Sequence, residues 1–383
     1  MGPWGGTAVK GRQIVMLSWR DTANPEGGGA EMYLEQVAHG LRGRGDRVTV
    51  FTAAYPGAAP DETVDGIRFV RRGGKLSVYL WGMWLLLTGR LGRPDVVVDV
   101  QNGLPFFSRL VTRRPVVVLV HHVHREQWPV VYPGLKGRVG WWLESSVAPR
   151  LYRHCQYIAV SRATRDELVG LGVSGSRIAV VHNGAERLPD VAPTKSGQPS
   201  ICVVGRLVPH KRVELAVDAV NALRAEFPEL TLTIVGDGWW ADELKAYADQ
   251  HSEPGAVTFL GHVGESVKES VYECSWVMAV PSLKEGWGLV ITEAAGRRTP
   301  SIAFRSAGGT TESIMDGVSG LLVADPAEFT RRLGDVLRDE VLRKELAEGA
   351  WWHAAGHTWE QSQMNFAAVL DSAGAGRVIA ASD

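Results

Sequence analysis

Short runs of consecutive apolar residues, rich in Val and Ile, alternate along the chain with longer stretches whose apolar positions recur every three to four residues. In the first half the runs Ile14–Leu17, Val48–Phe51, Val96–Val100, Val116–Val120, Ile158–Val160 and Ile178–Val181 predict strands. Unbroken apolar runs of this length suit strands buried on both faces of a parallel sheet. Between them the spacing predicts helices over Glu31–Arg42, Leu76–Thr88, Val139–Tyr152 and Arg162–Gly170. Pro189–Ser200, rich in Pro, Ser and Gly, breaks the rhythm and reads as a linker. The alternation then restarts. Strands are predicted at Ile201–Val204, Leu232–Val235, Val257–Leu260, Val277–Val280 and Ile302–Phe304, and helices at Val213–Glu226, Ala241–Gln250, Ser266–Cys274 and Val290–Arg297. One or two amphipathic helices follow over Ala327–Ala350, then a separate helix with Thr358 as N-cap, and a tail after Ala373 expected to fray. The fold class is α/β: two doubly wound parallel-sheet domains, 1–190 and 191–357, facing across a cleft, with 358–383 as a final helix and tail.

The 383-residue length suits two or three domains, and 45% hydrophobic with 22% charged residues excludes a disordered or fibrous chain. A net charge of −1 gives no global attraction for nucleic acid. The charge is unevenly spread. Residues 1–190 hold 24 basic and 16 acidic side chains, a balance of +8, and the remainder is −9. Two halves of opposite sign suggest different partners. Cys155, Cys202 and Cys274 are scattered and odd in number, which predicts buried thiols in a reducing compartment and no zinc site. The opening MGPWGGTAVKGR lacks a signal-peptide core, and the apolar stretch Leu76–Gly89 is too short for a spanning helix, which needs about 20 residues. The expectation is a cytoplasmic protein.

Candidate chemistry concentrates at strand-to-helix junctions. In VPSLKEGWGLVITEAAG a strand ends at Val280 and a helix starts near Gly288, with Glu285 in the loop and Glu293 one turn inside the helix. The N–H groups of Gly286–Val290 lack helical partners there, an arrangement that receives anions. A carboxylate beside such a site suits hydrogen bonds from sugar hydroxyls. In SICVVGRLVPHKRVEL, Arg206 follows the strand and Lys211 precedes the helix; basic side chains there oppose the helix dipole, so an anion between them is expected. Gly27, Gly28 and Gly29 open the first helix without the G-x-G-x-x-G spacing of dinucleotide folds. His121 ends a central strand, with His122 and His124 behind it. Consecutive positions diverge, so one cleft-facing imidazole is favoured over a metal site.

The Glu–seven–Glu motif with EGWGL is the most specific feature of a wider set: GRL followed by Lys, the glycine-rich first loop, the strand-end His, Val160–Ser161, His182–Gly184 and GVSGLLV. In this order the set resembles the retaining glycosyltransferases of family 4, which have the GT-B fold of two Rossmann-like domains. The resemblance implies transfer of a hexosyl-type sugar from a nucleotide-diphosphate donor. It implies Arg206 and Lys211 on the diphosphate, Glu293 on the ribose, and Glu285 with Gly286, Trp287, Gly288 and Leu289 on the donor sugar. Gly28 and Gly29 would approach the phosphates, His121 would lie by the reacting carbon, and the base would meet His262 and Val263. The last helix would cross back to the first domain. The catalytic set so implied is His121, Arg206, Lys211 and Glu285.

Charge growing on the leaving diphosphate needs stabilisation, and no Asp-x-Asp follows a strand, so cations and helix termini are expected to act without a metal or other cofactor. The expected partners are the nucleotide sugar and a sugar, lipid-linked or small-molecule acceptor. The alternatives are a nucleotide-sugar epimerase of the same architecture, a binding-only protein, and, third, a dehydrogenase. Arg71, Arg72 and Lys75 beside Leu76–Thr88, Arg109, Arg113 and Arg114, and Trp141 and Trp142 between Arg138 and Arg150 suggest peripheral contact with an anionic membrane face. The competing expectation is that Leu76–Thr88 is a core helix.

Overall fold

A computed structural model describes residues 11–186 and 193–380, which divide into two compact units: one built from the chain up to His182 together with Trp359 onward, the other spanning Asn183–Thr358. Residues 1–10 of the N-terminal segment, 189–192 of the expected linker and 381–383 of the tail lie outside the described residues.

In the first unit, strands β1 (Gln13–Leu17), β2 (Arg47–Thr52), β3 (Asp61–Val64), β4 (Ile67–Arg71), β5 (Val96–Gln101), β6 (Val116–Val120), β7 (Gln156–Ala159) and β8 (Ile178–Val180) form one sheet. Its order is β3-β4-β2-β1-β5-β6-β7-β8, parallel throughout except where β3 pairs antiparallel with β4. The β3–β4 hairpin was not predicted. Its outer strand, DETV, is polar and edge-placed, and it turns on Asp65 and Gly66, both at positive φ. Inner strands are buried on both faces, including Asp99 in β5. Asp99 accepts from Phe106 N–H (2.8 Å), Ser108 N–H (3.1 Å), Ser108 Oγ (2.6 Å) and Tyr152 Oη (2.5 Å), and so anchors the loop after β5.

In the second unit β9 (Ser200–Val204), β10 (Thr231–Val235), β11 (Val257–Gly261), β12 (Val277–Val280), β13 (Ser301–Phe304) and β14 (Gly320–Val323) form a parallel sheet in the order β11-β10-β9-β12-β13-β14. Helices Glu214–Leu223 and Pro326–Arg338 cover one face, closing a core of Ile201, Val217, Val220, Ile234, Phe329 and Leu333. Each sheet reverses its winding direction once, between β1 and β5 and between β9 and β12. Loops at the carboxyl ends of those strands diverge and leave a crevice.

Several expectations shift. The helical run predicted over Val139–Tyr152 begins earlier, at Leu135, and is not α-helical throughout. Leu135–Trp142 passes into a π-turn over Leu143–Val147 and then Ala148–Leu151, where Pro149 supplies no N–H. The segment before β9 is held from Lys195 onward: its ammonium donates to Thr299 Oγ1 (2.5 Å), and Trp276 Nε1 donates to Ser196 C=O (2.7 Å). Helix Trp359–Gly374 packs on Gly29–Gly43, with Trp359 and Phe366 edge-on to Tyr33. The tail beyond it is tied down as well, since Gln156 exchanges two side-chain bonds with the backbone of Ile379. Cys155 and Cys202 are buried thiols, but Cys274 is exposed.

Candidate functional site

The crevice of the second unit lies between the loops that follow β9 and β12, and is lined by Gly205, Arg206, Lys211, Ser282, Glu285 and Val290 among others. Those loops are stitched together. Pro209 starts a 3₁₀ turn ending at Lys211, and Arg212 then takes a left-handed conformation. From there its guanidinium donates to Pro281 C=O (2.9 Å) and Ser282 C=O (3.3 Å), stacks 4.4 Å from the Phe304 ring, and Leu283 N–H donates to His210 C=O (2.8 Å). Burial pulls the Arg212 pKa down. Lys211 Nζ then meets Glu285 Oε1 at 2.5 Å, bridging the two loops, while Arg206 stands at the exposed rim.

Lys211 is therefore not in the first turn of a helix, because helix Glu214–Leu223 starts three residues later. Its ammonium is paired with Glu285, so the helix dipole by itself gives no ground for an anion beside it.

Glu285 is fixed by its backbone as well. Its N–H donates to Ala307 C=O (2.7 Å), and its own C=O accepts from Gly309 N–H (3.0 Å). The loop after β13 thus clamps the loop after β12. The approach is so close that a Cβ at Gly309 would sit 1.9 Å from Gly286 C=O. Gly288 caps helix Leu289–Gly296 at φ +86°, a left-handed conformation that favours glycine, and no side chain caps that end. Trp287 is only 2% exposed, its ring packed 5.0 Å from His357; the side chain is a wedge within the unit.

Glu293 sits one turn beyond Val290 but has its own partners: Tyr272 Oη donates to it (2.8 Å) and Lys268 Nζ lies at 3.1 Å. Burial pulls the Lys268 ammonium down, and Glu293 with Glu265 outweighs it, leaving its pKa above the ordinary lysine value. The two glutamates of the motif thus have separate cations. Val263 follows β11, two strands from β9 along the same carboxyl edge, and is half-buried. Arg212, Lys268, Tyr272 and the Ala307–Gly309 clamp were missed. Only the Gly308–Gly309 pair gave a sequence signal.

The other predicted residues belong to the first unit. Gly28 precedes helix Gly29–Gly43, and its N–H donates to Glu31 Oε2 (2.8 Å). The loop before it is a built turn. Asp21 accepts from Asn24 N–H (3.0 Å), Thr52 Oγ1 (3.2 Å) and Arg71 Nε (2.5 Å), and a Cβ at Gly27 would meet Asn24 C=O at 2.9 Å. Arg71 is therefore buried, which removes it from the expected basic surface. His121 is 6% exposed, edge-on to Tyr33 at 5.4 Å. Burial first, and then the neighbouring His124, lower its pKa to about 4, so the imidazole is neutral near pH 7. His124 is bound by Glu144 (3.2 Å) and Asn102 (2.9 Å), and His122 faces Gln127 (3.0 Å). Among the described residues no group of three His, Cys, Asp or Glu side chains is placed to hold a metal.

Two family descriptions match the chain: Glycosyltransferase Family 4 over residues 27–187, and Glycosyl transferases group 1 over residues 185–351. A D-inositol 3-phosphate glycosyltransferase from Acidothermus cellulolyticus is 30% identical over 403 residues, covering 93% of this chain and 88% of that protein. The chain belongs to the group 1 glycosyltransferases. Its fold is GT-B. Sucrose-phosphate synthase from Thermosynechococcus elongatus superposes with a TM-score of 0.79 at 17% identity, covering 95% of this chain and 100% of that one. Anabaena HepE, solved in complex with UDP-glucose, superposes at 0.72 with 20% identity, covering 94% and 100%. Glycosyl transfer is thereby favoured over the epimerase and binding-only readings.

Because the clamp tolerates no side chain, Gly309→Ala should displace Glu285. A misplacement of about 1 Å can cost about 10²-fold in rate, and we expect a loss of that order in kcat/KM with an unchanged far-ultraviolet circular dichroism spectrum. Wild-type kcat/KM in this variant would show that the clamp does not set the site.

Proposed function

We propose that this glycosyltransferase moves a hexosyl-type sugar from a nucleotide-diphosphate sugar to an acceptor hydroxyl with retained anomeric configuration and without a metal ion. The carrying observation is the Lys211–Glu285 pair at 2.5 Å, set where the sheet of the second unit reverses. An ammonium has three donors, so Lys211 can hold Glu285 and still reach a phosphate oxygen. The bond from the anomeric carbon to the diphosphate breaks, a bond to the acceptor oxygen forms on the same face, and the acceptor proton passes to the leaving phosphate. Negative charge growing there meets Lys211, Arg206 and the uncapped start of helix Leu289–Gly296. Glu285 accepts from sugar hydroxyls and Glu293 from the ribose, exchanging Tyr272 or Lys268 for the ligand. The roles of Gly28, Gly29, His121 and Val263 rest on the family resemblance.

A panel of UDP-, GDP- and ADP-sugars tests this reading. A donor at a hundred times its Kd should raise stability by about 2.7 kcal/mol. Proton NMR should find the product's anomeric coupling matching the donor's, at a rate unchanged by EDTA. An inverted product, or activity abolished by EDTA and restored by Mg²⁺, would refute the retaining or the metal-independent part. The three cysteines without disulfides support a cytoplasmic site of action.

A further inference from the structure

Helix Ser77–Leu87 is a core helix on one side only. Val78, Gly82, Leu85 and Leu86 face the core of the first unit. The opposite stripe is as apolar and stands in solvent: Leu76 is 75% exposed, Leu80 70%, Leu87 64%, Trp81 40% and Trp84 39%. A helix apolar all round is usually buried all round; this one is buried on one side only. Leu110, also exposed, follows in the 3₁₀ turn Ser108–Leu110 that packs beside it.

The helix and the residues that directly flank it in sequence carry charge of one sign. From Gly66 to Pro94 the chain has no acidic residue, while exposed Lys75 precedes the helix and exposed Arg90 and Arg93 follow it. Lys75 opposes the helix dipole, so helix stability does not account for it. Its ammonium lies over the Trp19 and Tyr132 rings, and the Arg90 guanidinium stacks 4.4 Å from Trp84. Past Tyr132, the exposed Leu135, Val139 and Trp142 again accompany only cations, Lys136 and Arg138. An apolar stripe with indole rings and cations at both ends complements a surface that is apolar inside and anionic outside. A second copy is a poor occupant, since a two-fold contact through this stripe would bring its cations together.

We propose that helix Ser77–Leu87 docks the protein on an anionic lipid bilayer, lying in the interface with Leu76, Leu80, Trp84 and Leu87 immersed. The helix is about 16 Å long at 1.5 Å per residue, enough to lie in the surface and too short to cross it. Among the described residues no helix is long and apolar enough to span a membrane. This proposal does not depend on the donor chemistry.

Flotation of the full chain with phosphatidylcholine vesicles, with and without phosphatidylglycerol, at low and high salt, tests it. The chain should float with the anionic vesicles and lose this at high salt. Lys75→Ala/Arg90→Ala/Arg93→Ala should weaken anionic binding by about fivefold per cation removed. Leu80→Ser/Trp84→Ser/Leu87→Ser should weaken it at least tenfold, with an unchanged unfolding temperature. Leu87→Glu, a single change at an exposed position, provides a second reading should the triple variant unfold. Absence from both vesicle types, or binding that Leu87→Glu and the serine variant retain, overturns the proposal. So does a lipid-free dimer that the serine variant dissolves.

Discussion

Lys211→Ala should lower kcat/KM by about 10²–10³-fold, the effect of deleting one preorganised charge-stabilising group, while the unfolding temperature barely moves. The small stability effect follows from exposure. Lys211 and Glu285 are part-exposed, and the loops they join keep the Arg212 bonds to Pro281 and Ser282 and the Leu283–His210 backbone bond. The kinetic effect has two parts. The variant loses the cation that meets the leaving diphosphate, and it leaves the Glu285 carboxylate without its countercharge beside an incoming anion. The second part can be isolated. Glu285→Gln in the Lys211→Ala background removes the unpaired charge, so the double variant should be less impaired than the product of the two single losses. Strictly multiplicative losses would show that the two side chains act independently. A kcat/KM within twofold of wild type for Lys211→Ala would remove Lys211 from the phosphate site.

Asp21→Ala should lower the unfolding temperature by about 10 °C. Asp21 and Arg71 face each other at 2.5 Å with side chains 2% exposed, under the turn that leads to Gly28. Removing one partner of a buried pair costs about 3–5 kcal/mol, because the other charge remains buried. For a unit of this size each kcal/mol shifts the transition by about 2–4 °C. Arg71 keeps Glu62 and the Ala59 carbonyl as partners, which places the expected loss near the lower end. Asp21→Asn with Arg71→Met, neutral on both sides, should lose less than Asp21→Ala alone. Calorimetry on the three proteins decides it, and a shift below about 2 °C for Asp21→Ala would mean that its loss does not leave Arg71 as a costly unpaired charge.

The parts of the molecule legible in the sequence are those whose cause is local. Val116–Val120 reads as a buried strand because five consecutive apolar side chains need cover on both faces, and β6 occupies those residues. Arg162–Gly170 is a helix because Ser161 can cap it, and its hydroxyl accepts from Thr164 N–H (3.1 Å). The family's motif was equally legible, since Glu285, Gly288 and Glu293 lie within one loop and one helix. Tertiary structure alone decided which groups those residues meet. Lys211 and Glu285 are 74 positions apart and meet because β9 and β12 are neighbours in the sheet. Glu293 finds Lys268 and Tyr272 because helix Glu265–Cys274 packs against helix Leu289–Gly296. Arg71 reads as surface charge in sequence but is drawn inside to Asp21, 50 positions away, and the helix that follows it keeps one apolar face outside. Hydrophobic period fixes which side of a strand or helix turns inward. Strand order fixes which charges come within 3 Å of one another, and it is set by packing across the whole sheet, which no window of sequence contains.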